Sequence, residues 1–280
     1  TGSHNPPQYN GFKVLVGKDA IFGKEIQKLG KMAIAGKFAA AKKIGKVAEK
    51  GIGKEYLGDI ASRVKVKRKV RVVVDAGNGM ASDLGPQLLR MLGCDVVELY
   101  CEKTPGYPNH IPDPSQEKNV AELRKRVVQE KAELGIAFDG DVDRLGVVDE
   151  KGELLYGDRL LGILAKKTLQ EVPGAKIIFE VKCSQGLEEH IHALGGKPIM
   201  WKTGHSLIKA KMKKEKAALA GEMSGHMFFA HGWYGFDDAL LAAAKVIEIV
   251  SQSKKKVSEI AAEMPIYASY PEYRIDFADS

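Results

Sequence analysis

The stretch KVRVVVDAGNGMASDLGPQLLRMLGCDVVELY, residues 69–100, decides the fold class. Residues 69–75 are a β-branched run that stops at Ala76-Gly77-Asn78-Gly79. A helical pattern through Leu84, Leu88, Leu89, Met91 and Leu92 follows and ends at Gly93, and residues 95–100 form a second β-branched run. Strand, helix and strand in so short a span make a βαβ unit, whose right-handed crossover implies a parallel sheet. The same syntax recurs in residues 175–181 (AKIIFEV), a helix over 185–194, the pair Gly195-Gly196 and a strand over 198–201. The expectation is two α/β layers, each with loops at the carboxyl ends of its strands, where such sheets bind ligands. Gly77 and Gly79 lack the third spaced glycine of a dinucleotide fingerprint and read as a tight turn.

Between the two units, residues 134–138 (LGIAF) enter the loop Asp139-Gly140-Asp141-Val142-Asp143-Arg144, and residues 145–149 (LGVVD) leave it. Lys151-Gly152-Glu153 reads as a hairpin turn before residues 154–156, and an amphipathic helix is expected over 159–169. Residues 104–114 (TPGYPNHIPDP) read as an extended, Pro-rich surface loop. Boundaries are expected near residues 154–158 and near Pro265, beyond which residues 271–277 begin another strand.

The 280 residues are 44% hydrophobic and 28% charged, the balance of an ordinary globular chain of about two domains. The most apolar stretch, residues 239–250, is broken by Lys245 and Glu248 and falls short of the ~20 residues needed to cross a bilayer, so no membrane partner is expected. Cys94, Cys101 and Cys183 form no CxxC pair and read as reduced thiols of a cytoplasmic protein. The net charge of +7 is concentrated in two windows: nine lysines against two acids between residues 24 and 54, and six basic residues with no acid between Arg63 and Arg71. These could form a nucleic-acid patch. With Phe38 as their only aromatic, stacking is lacking, so a solvated helix pair and a basic linker are the preferred reading and nucleic acid is disfavoured as a partner.

Three constellations carry chemistry. Asp139, Asp141 and Asp143 alternate in a short loop after an apolar strand. Three carboxylates in one small volume repel unless a hard cation such as Mg2+ neutralises them, and Arg144 beside them could hold a phosphate. An EF-hand is the competing reading, but no glycine follows Asp143 and the flanks are strands. The opening Thr1-Gly2-Ser3-His4-Asn5-Pro6-Pro7 holds a serine suited to nucleophilic or phosphoryl-carrying work. Gly-Ser-His also occurs as a tag remnant, and the continuation NPPQYNGFK into an apolar run argues against that origin. Lys202-Thr203-Gly204-His205 and Gly221-Glu222-Met223-Ser224-Gly225-His226 combine groups suited to sugar hydroxyls (Glu, Ser) with groups suited to phosphate (His, Lys). Together the three point to a sugar phosphate.

TGSHNPPQYNGFK, FDGDVDR, EVKCS, WKTGHSLIK and GEMSGHMFF, in this order and spacing, resemble the α-D-phosphohexomutase family, especially its bacterial phosphomannomutase/phosphoglucomutase branch. The resemblance implies an α/β fold of consecutive domains with mixed sheets flanked by helices. It divides the chain into residues 1–55 (part of a first domain, with the phosphoserine loop), 56–154 (second domain, metal loop), 155–265 (third domain, sugar loop) and 266–280 (linker and first strand of a fourth). It also implies an isomerase and phosphoprotein of carbohydrate metabolism, an intramolecular phosphotransferase. Such an enzyme interconverts mannose or glucose 1-phosphate and 6-phosphate through a hexose 1,6-bisphosphate. By this likeness Ser3 is the phosphoryl carrier, and Ser3, Asp139, Asp141 and Asp143 hold Mg2+. His4 and Lys13 are proton-transfer candidates, Arg144, Lys182 and His205 orient substrate, and Glu222 and Ser224 bind sugar hydroxyls with His226 nearby. Two positions depart from the pattern: Val142 stands where glycine is usual, and Gln185 where arginine is usual. The alternative expectation is a sugar-phosphate-binding remnant without catalysis.

Overall fold

The computed structural model describes residues 10–17, 19–36, 38–40 and 43–268. In chain order these form β1 (Leu15–Val16), β2 (Asp19–Ala20), α1 (Lys24–Ile34), α2 (Gly53–Ser62), β3 (Arg71–Asp75), α3 (Ala81–Met91), β4 (Asp95–Leu99), α4 (Ala121–Gln129), β5 (Leu134–Phe138), β6 (Leu145–Asp149), β7 (Leu154–Leu155), α5 (Gly157–Glu171), β8 (Lys176–Glu180), α6 (Gln185–Ala193), β9 (Lys197–Trp201), α7 (His205–Glu215), β10 (Leu219–Gly221), β11 (Met227–Phe229), α8 (Ala239–Gln252) and α9 (Val257–Ala261).

Both βαβ units expected from the sequence are present, and each seeds a mixed sheet. In the first, ordered β4-β3-β5-β6-β7, β3 runs parallel to β4 and β5, while β6 and β7 are added antiparallel. The second is ordered β11-β10-β8-β9, with β8 parallel to β9 and β10 and with β11 antiparallel to β10. Apart from β7, the two sheets share one plan. The β5–β6 loop of the first and the β10–β11 loop of the second therefore hold equivalent places.

One face of each sheet has its own helix cover. Val73 and Val148 pack with Leu123 and Val127 of α4, and Ile178 and Phe228 pack with Ile208 and Met212 of α7. The opposite faces share one continuous core, in which Val72, Ile136 and Val147 join Ile177 and Phe179 through the intervening helices. The helix that explains this sharing is α8. It follows the second sheet in sequence yet packs on α2, α3 and β6 as well as α5, so it is buried nearly all round. Each Leu, Ile or Val buried there contributes roughly 1.5–3 kcal/mol. Its polar interruptions have partners: Glu248 accepts from the Lys65 backbone N–H at 2.9 Å, and Ser251 Oγ accepts from that of Lys67 at 3.1 Å.

The basic window from Arg63 to Arg71 is thus anchored rather than a free linker. Arg63 binds Asp59 with two guanidinium nitrogens and lies 4.8 Å above the Trp233 ring, Arg68 reaches Glu133, and Arg71 bridges Asp95 and Glu130. The helix pair expected over residues 24–54 is not formed. That window holds α1, which has no buried residue, and the first two residues of α2; the described part of 38–52 has no regular structure. Lysine-rich sequence interrupted by Gly45 and Gly51 has neither an apolar stripe nor the propensity to sustain a second helix. The strand expected over 12–16 pairs only at Leu15–Val16, and the strand expected over 271–277 lies outside the described residues. Among the described residues no helix is long and apolar enough to cross a membrane.

Candidate active site

The β5–β6 loop is organised by its first acid. Asp139 is fully buried, and its Oδ1 accepts from the backbone N–H groups of Asp143 and Arg144 at 3.0 and 3.1 Å. Its Oδ2 accepts from Arg144 Nε at 3.1 Å, and Arg144, itself 5% exposed, also donates to Asp113 at 3.1 Å. Burial and the neighbouring Asp143 carboxylate push Asp139 above the ordinary carboxylate range, against the pull of the guanidinium. The turn is closed by Val142 N–H donating to Asp139 C=O at 3.3 Å, which places Val142 at φ 66°. That left-handed backbone strains a β-branched residue by ~1–3 kcal/mol. The strain is offset because the Val142 side chain packs against the shared core and its carbonyl accepts from Ala239 N–H at 3.2 Å, at the start of α8.

Asp139, Asp141 and Asp143 each offer an oxygen within 4.8 Å of the others, the spacing of a cation cradle. Asp141 Oδ1 is buried with no hydrogen-bond partner among the described residues. An orphaned carboxylate oxygen in an all-oxygen set fits a hard divalent ion. Lys13 also reaches this loop: its ammonium donates to Asp143 at 2.5 Å and to Asp141 at 3.3 Å. Burial works against the charge of Lys13, but the two carboxylates outweigh it and hold the group protonated well above the ordinary lysine range. The same contacts with Lys13, added to those with His226, hold Asp143 well below the carboxylate range despite its burial.

The β10–β11 loop answers from the second sheet. Glu222, 3% exposed, accepts from Gly204 N–H at 2.7 Å, and its other oxygen lies 2.8 Å from His226 Nδ1. Ser224 Oγ sits 2.9 Å from the same nitrogen. Gly157, at the start of α5, gives this loop its room, since a Cβ there would lie 2.2 Å from Glu222 C=O. Burial depresses His226, but hydrogen bonds and charge from Asp143 and Glu222 override it and raise the ring to about 9. The neighbouring His205 shifts the other way, lowered by burial and by Lys209. The two rings stack with centroids 6.0 Å apart.

The two loops are joined directly. Arg144 and His226 form an antiparallel bridge, Leu145 N–H donates to Gly225 C=O at 3.1 Å, and His226 Nε2 lies 3.3 Å from Asp143 Oδ1. Residues from three separated sequence motifs, Lys13, Asp141/Asp143 and His226, thus meet in one place. Lys182 stands at the rim, its ammonium 3.9 Å from the buried Glu180, which also accepts from Met223 N–H. Ser3 and His4 lie outside the described residues. Gln185 opens α6 behind the Ser184 cap and donates to Glu189 at 2.9 Å.

Sequence reasoning missed four contributors. Asp113 anchors Arg144, and Glu180 accepts from Thr203 and so ties the 203–205 turn to the β10–β11 loop. Asp237 and Lys209 pair at 3.0 Å beside His205. The available signals were the Asp237-Asp238 pair ahead of an apolar helix, where Asp238 caps α8, and the four-residue spacing from His205 to Lys209, which places both on one helix face.

Two family models match in series: phosphoglucomutase/phosphomannomutase α/β/α domain II over residues 54–152 and domain III over residues 156–267. The chain is 46% identical to a phosphomannomutase/phosphoglucomutase of Pseudomonas aeruginosa PAO1, across 98% of this chain and 59% of that protein. It is also 46% identical to a phosphoglucomutase of Neisseria gonorrhoeae, across 100% of this chain and 60% of that protein. A crystal structure of a phosphoglucomutase/phosphomannomutase family protein from Burkholderia thailandensis superposes with a TM-score of 0.93 at 43% identity, covering 97% of this chain and 58% of that one. The chain thus spans about 60% of the length of the relatives it matches. With two domain models in order along one chain and a shared fold at this identity, the protein belongs to the α-D-phosphohexomutase family.

Proposed function

We propose that this chain carries the phosphoryl-transfer half of a mutase that interconverts hexose 1-phosphate and 6-phosphate, of glucose or mannose, through a hexose 1,6-bisphosphate. The observation that carries this reading is the convergence of Lys13, the acidic triplet and His226, which puts the segment after Ser3, the cation cradle and the sugar loop side by side. In this reading residues 1–55, 56–154, 155–265 and 266–280 contribute to four successive domains.

Asp139, Asp141 and Asp143, with Ser3, would hold Mg2+, which draws charge toward the bridging serine oxygen and makes serine a better leaving group. The chain's own groups do the rest. Phosphoryl transfer depends on alignment and charge neutralisation. A sugar hydroxyl attacks the phosphorus of phosphoserine 3; the new P–O bond forms as the serine P–O bond breaks. The hydroxyl proton must leave and the serine oxygen must regain one. Lys13, held protonated by Asp143 and Asp141, suits neutralising the charge that develops on the serine oxygen, and His4, next to Ser3 in sequence, is the candidate to return its proton. His205, lowered and neutral, suits acceptance from the sugar hydroxyl, while His226, kept cationic, suits the phosphate. Glu222 and Ser224 offer acceptors and a donor to paired sugar hydroxyls; Arg144 fixes the metal loop, and Lys182 supplies positive charge at the rim. Imidazoles pushed in opposite directions are the signature of assigned acid and base roles.

The test is intact mass spectrometry after incubation with glucose 1,6-bisphosphate and Mg2+. The expected result is a gain of about 80 Da on Ser3, absent in Ser3→Ala, with glucose 6-phosphate formed from glucose 1-phosphate once the bisphosphate is present. No phosphoryl uptake by a folded chain overturns the reading.

A further inference from the structure

The β10–β11 loop faces a second cluster of ligand atoms. His226 Nε2 lies 3.3 Å from Asp143 Oδ1 and 4.0 Å from Asp237 Oδ2, and the three groups offer atoms within 4.8 Å of one another. His205 flanks them: its Nδ1 is 4.0 Å from Asp237 Oδ2 but lies outside the 4.8 Å spacing that the other three share. Two of these atoms, Asp237 Oδ2 and His205 Nδ1, are buried without a hydrogen-bond partner among the described residues, and the Asp237 side chain is only 7% exposed. Lys209 satisfies the other Asp237 oxygen and leaves Oδ2 facing the imidazoles. We propose that Asp143 Oδ1, His205 Nδ1, His226 Nε2 and Asp237 Oδ2 form a transition-metal site for Zn2+ or Co2+, distinct from the all-oxygen triplet and sharing Asp143 with it.

The chemistry of the donors selects the ion. Two imidazole nitrogens and two carboxylates suit zinc-like ions and not Mg2+, and with neutral imidazoles the set balances a 2+ charge. Tetrahedral bonds of about 2.0–2.1 Å put ligand atoms about 3.3–3.4 Å apart, so Asp143, His226 and Asp237 need a small side-chain rotation, and His205, outside their mutual spacing, must swing in to supply the fourth bond. The outer contacts are those of a metal-binding histidine. Glu222 at His226 Nδ1 turns Nε2 toward the site, as a carboxylate partner does in carboxylate–histidine–zinc triads. The metal takes the place of the proton that His226 and Asp143 share. Asp143 can serve both sites because its Oδ2 faces Lys13 and its Oδ1 faces His226. An ion here would tie up the imidazoles assigned above to the sugar phosphate, but its binding is measured directly and does not depend on that reading.

Co2+ is the probe, titrated into the whole chain and followed by visible absorption, with Zn2+ as competitor. The expected result is the intense band of four-coordinate cobalt, removed by Zn2+ and surviving Asp141→Asn, which disturbs only the triplet. Asp237→Asn, which keeps the side chain's shape, and His205→Gln, at a half-exposed position, each weaken Co2+ binding at least about tenfold, and Glu222→Gln weakens it about 10–100-fold. Far-ultraviolet circular dichroism verifies that each variant is folded. A weak six-coordinate spectrum in the unaltered chain overturns the proposal. So does an intense band that persists unchanged in both folded variants Asp237→Asn and His205→Gln.

Discussion

The loops at residues 139–144 and 222–226 occupy equivalent places in two sheets of one plan, and they open alike. Each begins with a buried carboxylate, Asp139 or Glu222, and turns through a bond from the residue three positions on, Val142 or Gly225, back to its carbonyl. Both of those residues have positive φ, 66° and 97°. From there they diverge. Asp139 turns inward to its own backbone and to Arg144, leaving Asp141 and Asp143 as outward oxygens. Glu222 turns outward to Gly204 and His226 and so braces an imidazole and the start of α7. One backbone solution thus gathers carboxylates in one sheet and braces an imidazole in the other, depending on where its first acid finds a partner.

The sharpest way to break this comparison is Asp139→Ala. It leaves Arg144 buried without its main counter-charge, so stability should fall by about 3–5 kcal/mol in urea unfolding. A loss under about 1 kcal/mol would show that the acid is not the brace. Next comes Gly225→Ala. The new Cβ meets Leu145 C=O at 2.5 Å in a left-handed backbone, and a cost of about 2–4 kcal/mol is expected, with weakened glucose 1-phosphate binding. Unchanged calorimetric affinity would detach the loop bridge from ligand binding.

A pH series sharpens the electrostatic side. His226 is raised from 6.5 to about 9, so its contribution is complete below pH 6.5 and is lost as pH climbs through about 9. Metal-free protein should lose about 2–3 kcal/mol across that window, and His226→Gln should flatten the loss. A slope equal in both proteins would contradict the assignment. The smallest effect belongs to Val142→Gly. Release of left-handed strain is opposed by lost packing and a freer unfolded chain, which leaves a gain of at most about 1 kcal/mol. Destabilisation beyond about 1 kcal/mol would mean that the contact of Val142 with the shared core outweighs its strain.

Much of this site was legible because its groups are clustered in sequence. The acidic triplet occupies five residues, and Glu222, Ser224 and His226 occupy another five, each just after an apolar strand that had to end at a sheet's carboxyl edge. Val142 could be flagged as strained before its φ was known, because the loop resembled one with glycine there. Asp113 and Glu180 gave no such sign, and Asp237 showed only as half of the Asp237-Asp238 pair ahead of an apolar helix. The role of each depends on which strand or loop lies across from it.

Local sequence determined the two βαβ units and the two polar loops, because periodicity, turn residues and ligand spacing act over a few residues. Tertiary structure alone decided that α8 is shared by both sheets, that Lys13 crosses to the acidic triplet, and that His205, His226, Asp143 and Asp237 converge. Those pairings arise from burying common apolar faces and neutralising charge between segments tens to more than a hundred residues apart, and nothing in either partner's local sequence encodes the other.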